Sequence, residues 1–124
     1  LTLGCRDVPA AAQFFQATLG WQKIERPANA RTSTQWLSIG PGQELHLVQV
    51  DGFAVSPFES EFGRHFAFSF PLAEFDGLKE RLIAYGAELV APERESPFER
   101  FFFRTPEGYL FEVIEAERFD AESK

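Results

Sequence analysis

The feature that most constrains this chain is that it repeats itself once. Gly20 and Gly86 stand 66 positions apart, and so do Gly42 and Gly108. At the same offset Leu45-His46-Leu47 lies over Phe111-Glu112-Val113. Glycine marks helix ends and tight turns because it takes left-handed backbone angles without steric cost. Each glycine pair therefore reads as the same event in both halves. The identity between halves is weak, so the shared order of elements carries the duplication. A repeat of this length is a duplicated module rather than a solenoid.

The first half opens on a strand, Leu1–Cys5. Asp7 then reads as a helix N-cap with Pro9 in the first turn. Ala11, Phe14, Phe15 and Leu19 recur at helical spacing and Gly20 closes the helix. Trp21–Glu25 is a strand, Arg26–Arg31 a loop and Thr32–Ile39 a strand. Gly40-Pro41-Gly42 is a turn before the strand Glu44–Val50. In the second half His65–Phe70 is a strand. Leu72, Phe75, Leu78 and Leu82 form a helical stripe that ends at Gly86. Glu88–Ala91, Arg100–Arg104 and Tyr109–Glu115 are strands. Pro92–Glu99 is a loop and Pro106-Glu107-Gly108 a turn. The predicted fold class is α+β, two βαβββ modules forming a shared cleft. The 124 residues are read as one domain. Its parts are module 1 over 1–50, a connector over 51–63, module 2 over 64–115, and a charged tail, Ala116–Lys124, expected to fray.

Composition narrows the partners. The net charge is −7, so no basic patch is available to displace counterions from a nucleic acid, and anionic membrane surfaces are equally unsuited. No apolar run reaches membrane-spanning length. Cys5 is the only cysteine, which excludes an internal disulfide and points to a reducing cytoplasm. Fifteen phenylalanines and no methionine imply a core of large, rigid side chains.

Strand side chains alternate between faces. Phe66, Phe68 and Phe70 are predicted to lie under the helices, with Phe111, Val113, Leu45, Leu47, Leu1, Leu3 and Cys5. The opposite faces then collect His46, His65, Glu112 and Thr2. Glu44 shares the face of His46 and is read as a solvated rim charge. Two imidazoles and a carboxylate suit a divalent metal. His46 and His65 are the chain's only histidines, and both fall on this face.

With these residues in place the chain resembles the vicinal oxygen chelate superfamily, the glyoxalase / bleomycin-resistance / ring-cleavage dioxygenase fold. The matching segments are Leu1-Thr2-Leu3-Gly4-Cys5-Arg6-Asp7-Val8, Phe14-Phe15 with Leu19-Gly20-Trp21, Leu45-His46-Leu47, Arg64-His65-Phe66-Ala67-Phe68, and Thr105-Pro106-Glu107-Gly108-Tyr109-Leu110-Phe111-Glu112. The ordered set is specific for the fold and less so for the reaction. The resemblance implies metal ligands at His65 and Glu112, with His46 at the fourth-strand position. It places a first-strand ligand, often His, on the residue before Leu1. A His there is expected, and the gene sequence checks it.

The resemblance further implies a divalent ion (Zn, Ni, Mn or Fe) acting as Lewis acid on a small oxygen-chelating substrate. Glu112 would be both ligand and catalytic base. Thr2, Trp36, Phe102 and Arg104 would line the substrate pocket, Arg104 as a clamp on an anionic group. A homodimer is expected. Departures limit the reaction. Glyoxalase I carries Glu at the fourth-strand position, where this chain has His46. Fosfomycin-modifying members hold phosphonate with several Lys and Arg, whereas Pro92–Glu99 offers Arg94 and no lysine. The other readings are an Fe(II) ring-cleavage dioxygenase and a non-catalytic small-molecule or drug binder.

Overall fold

A computed structural model of the chain describes residues 1–28 and 33–118. Thr32 of the predicted third strand, residues 29–31 of the predicted loop and 119–124 of the tail lie outside the described residues. The chain divides into two compact units, one spanning Leu1–Ala54 and one beginning at Val55. The predicted connector over 51–63 is thus split, its larger part belonging to the second unit.

The first unit is β1 (Thr2–Cys5), α1 (Val8–Leu19), β2 (Gln22–Ile24), β3 (Thr34–Gly40) and β4 (Gln43–Gln49). Its sheet runs β1-β4-β3-β2, with β1 parallel to β4. Asp7 accepts from Ala10 N–H at 3.1 Å and starts α1. Gly20, at φ 73°, ends it. The apolar stripe of α1 packs on β3 and β4 and buries Phe14, Phe15 and Leu19.

The second unit is β5 (Phe66–Phe70), a 3-10 turn (Leu72–Glu74), α2 (Phe75–Ala84), β6 (Glu88–Val90), β7 (Arg100–Arg104) and β8 (Leu110–Glu115). Its sheet runs β5-β8-β7-β6. Gly86 N–H reaches Ile83 O and Ala87 N–H reaches Leu82 O, a Schellman closure that needs the left-handed Gly86 at φ 92°. The helix-side core is aromatic. Phe103 stacks on Phe111 at 5.4 Å, and Phe75 meets Phe101 edge-on at 5.1 Å.

The two units share one register. Thr2, His46, Trp36 and Ile24 lie abreast in the first sheet, and Ala67, Glu112, Phe102 and Val90 abreast in the second. Both sheets therefore repeat the same α+β module. Two expectations about burial need correction. Leu1, read as inward, is 49% exposed, and the strand opens one residue later, at Thr2. Phe66, Phe68 and Phe70 are half-buried rather than buried, although Phe66 and Phe68 do meet Phe111 on the helix side.

Candidate functional site

The alternation of β7 and β8 puts Arg100, Phe102, Arg104 and Glu112 on the face opposite the Phe103–Phe111 core. His65 stands just before β5, the parallel neighbour of β8. Its Nε2 lies 3.2 Å from Glu112 Oε1. Its Nδ1 lies 3.3 Å from the carbonyl oxygen of Ser60. Its ring meets Phe102 edge-on at 5.3 Å. Ala67, the register partner of Glu112, lines an open hollow of about 280 Å³ with Phe68, Ser69 and Ile114.

Both ring nitrogens of His65 therefore face oxygen acceptors. A neutral imidazole has one N–H and satisfies one of them. With Nδ1–H donated to Ser60, the lone pair of Nε2 points at a carboxylate oxygen. Two lone pairs at that distance repel unless a cation lies between them, either a proton or a metal ion. One nitrogen and one carboxylate oxygen are a borderline donor pair that suits a divalent transition ion or Zn. The geometry of His65 and Glu112 fits such an ion.

The second carboxylate oxygen of Glu112 is already used. Arg100 Nη1 donates to Oε2 at 3.1 Å. Arg100 is itself buried at 8% exposure, with its guanidinium 5.3 Å over the Phe102 ring. Its Nε donates to Ser96 Oγ and its Nη2 to Glu61 Oε2, each at 3.1 Å, and Nη2 also reaches Arg94 O. Such a fork satisfies planar acceptors that an ammonium could not. Glu61 also accepts the backbone N–H groups of Glu93 at 2.7 Å and Arg94 at 3.1 Å. Burial pushes the Glu61 carboxyl upward, but the hydrogen bonds from Glu93, Arg100 and Arg94 outweigh it and hold the pKa below the usual carboxylate range.

The first unit carries a separate polar pair. His46 Nε2 lies 2.8 Å from Glu44 Oε1, and its ring stacks on Trp36 at 3.8 Å and 5°. Glu44, read as a solvated rim charge, is exposed and also pairs with His46. Thr2 sits beside His46 in register and is exposed. Phe102 is 1% exposed, which leaves it no surface to offer a substrate; it supports His65 and Arg100 instead. Arg104 donates Nη1 to Gly108 O at 3.3 Å and Nη2 to Glu59 O at 3.2 Å. Among the described residues no group of three or more His, Cys, Asp and Glu side chains is gathered as a metal site.

Sequence reading passed over Arg100, Ser60 and Glu61. A signal for Arg100 was present, since it shares a strand face with Phe102 and stands in the strand that precedes Glu112. Ser60 and Glu61 belong to a connector with no periodicity to read.

A βαβββ duplication with a polar strand face defines the glyoxalase-like class of fold. The chain belongs to the glyoxalase-like domain family, whose model matches residues 1–114. No curated protein sequence matches it. Among solved structures it is similar to a fosfomycin resistance protein, FosX, from Mesorhizobium loti, at 17% identity and a TM-score of 0.73, covering 100% of this chain and 94% of that one. It is also similar to a glyoxylase/bleomycin resistance protein/dioxygenase domain from Frankia, at 27% identity and a TM-score of 0.71, covering 92% and 87%. A third is a FosX mutant from Listeria monocytogenes, complexed with Mn(II) and 1S,2S-dihydroxypropylphosphonic acid, at 24% identity and a TM-score of 0.69, covering 91% and 84%. No helix among the described residues is long and apolar enough to cross a membrane.

Proposed function

We propose that this protein is a divalent-metal-dependent enzyme of lyase or isomerase type, with His65 and Glu112 holding the metal. The observation that carries this reading is the pair of oxygens facing both nitrogens of His65. The bound ion would supply Lewis acidity to two oxygens of a small substrate. The chain's own residues do the rest. Ser60 orients the imidazole and Arg100 orients the carboxylate. Glu112 Oε1, the oxygen away from the guanidinium, would hold the ion and, when displaced from it, would take up a proton. The Mn(II) in the Listeria FosX complex is consistent with this set.

His46 remains a candidate ligand on sequence equivalence, because it holds in the first sheet the register position that Glu112 holds in the second. Thr2 and Trp36 flank it as candidate substrate contacts, and Arg104 on β7 is another. The chain is proposed to form a homodimer, for which the exposed Phe58 and Phe62, 71% and 72%, supply apolar surface. Its lone cysteine suits a reducing, cytoplasmic setting.

Elemental analysis of the purified protein, followed by Mn²⁺ titration of the parent and of His65→Ala, Glu112→Ala and His46→Ala, tests the reading. Metal in the parent, and loss of binding in the first two variants, is the expected result. Absence of metal, with no effect of chelator on thermal stability, would overturn it and favour a non-catalytic small-molecule binder. Iron together with oxygen uptake would favour the ring-cleavage class.

A further inference from the structure

Residues 59–61 are the anomaly in this fold. Their neighbours Phe58 and Phe62 are 71% and 72% exposed, while Glu59 is 6% exposed and the Glu61 side chain 9%. Burial of apolar area alone would choose the reverse. Polar contacts, not hydrophobic ones, therefore decide how this segment lies.

Those contacts fasten the segment along its length. Glu59 Oε1 accepts Leu110 N–H at 3.1 Å, and Glu59 O accepts from Arg104 at 3.2 Å. Glu61 takes two backbone N–H groups of the loop before β7 and one arm of Arg100. The turn closes through Arg64 N–H to Phe58 O at 2.6 Å and Gly63 N–H to Ser60 O at 3.1 Å. It is tight enough that a Cβ at Gly63 would stand 2.1 Å from Phe58 O.

We infer that residues 59–61 form a clamp that selects which atom each site residue presents, with Glu61 and Arg100 as positioning residues for Glu112. The inference rests on the metal reading above for its purpose, but the clamp itself is a matter of geometry. Ser60 O occupies Nδ1 of His65, so Nε2 is presented. Glu61 holds Arg100, and Arg100 occupies Oε2 of Glu112, so Oε1 is presented. Adjacent residues of the clamp thus set a nitrogen and an oxygen that then meet at 3.2 Å. Without the guanidinium, Glu112 would be free to rotate and offer both oxygens at once. Groups one step behind metal ligands commonly fix ligand orientation in this way.

The test uses isotopically labelled full chain, as parent, Glu61→Gln and Arg100→Lys. The exposed Glu95 of the same loop, changed to Gln, controls for loss of one negative charge. The Glu112 carboxylate carbon and His65 imidazole nitrogen resonances are read in metal-free protein, and Mn²⁺ affinity by water-proton relaxation. Glu61→Gln is expected to keep the parent's circular dichroism, to shift the Glu112 resonance and to weaken Mn²⁺ binding about 10- to 100-fold. Arg100→Lys keeps the charge but not the fork, and is expected to move the same readouts if Glu61→Gln does not fold. Glu95→Gln should move neither. An unshifted Glu112 resonance with parental Mn²⁺ affinity in a folded variant overturns the clamp. If the parent binds no Mn²⁺, the metal reading fails by itself. The clamp then stands on a shifted Glu112 resonance in metal-free protein, and falls if that resonance is unmoved.

Discussion

Arg100 holds Oε2 of Glu112 at 3.1 Å, from a guanidinium whose side chain is 2% exposed, and this leaves Oε1 to face the imidazole of His65. The carboxylate is shared between a buried guanidinium and the imidazole of His65. Several measurable consequences come from that division.

Removing the carboxylate should destabilise the fold as well as the site. Glu112→Ala leaves the Arg100 charge buried with one partner fewer, and breaking such a pair from one side costs about 3–5 kcal/mol. Glu112→Gln keeps an acceptor for the guanidinium and should cost less, while still weakening Mn²⁺ binding. Urea unfolding of both variants, compared with the parent, reads the difference. Equal stability losses would show that the Arg100 contact is not what matters.

Acid should loosen the loop before β7. The Glu61 pKa is lowered in the folded state, so its contribution is fully present above the unfolded carboxyl value of about 4.3 and is lost as pH falls through the depressed folded value. Stability measured downward from neutral pH should therefore decline below that range. In Glu61→Gln this component of the decline should be missing. A parent and variant with parallel acid profiles would contradict it.

Gly63→Ala should be destabilising by about 1–3 kcal/mol, since the new methyl group meets backbone rather than a movable side chain. Because the turn carries Ser60, the His65 imidazole resonances should shift in the same variant. Thermal denaturation and the NMR spectrum check the two effects separately.

The aromatic core should carry much of the second unit's stability. Phe103 is fully buried and stacked on Phe111, so Phe103→Ala should cost about 3–5 kcal/mol. Phe58→Ala, at a 71% exposed position, should change stability little. Urea midpoints of the two variants give the contrast.

The reach of sequence reading follows its physical basis. Strand alternation put His46 and Glu112 on the faces opposite the cores, because period-two geometry is local to each strand. The same rule could have reached Arg100, but alternation says only which face a residue takes and not what it touches. It gave the right face for Phe66 and Phe68 but not their half-buried state, since how deeply a face is covered depends on what packs over it and not on the strand's own period.

By itself, then, the sequence determined the duplicated α+β module, the helix caps and the polar faces, because glycine conformation, helical periodicity and pleat alternation act over a few residues. Only the tertiary structure decided that Glu61 meets Arg100 across 39 residues of chain, and that Arg100 meets Glu112. Those contacts depend on how an aperiodic connector folds back over two strands, with Glu59 and Glu61 inward and Phe58 and Phe62 outward. No local rule encodes that choice, since it is made by the sum of hydrogen bonds available only once the sheet exists.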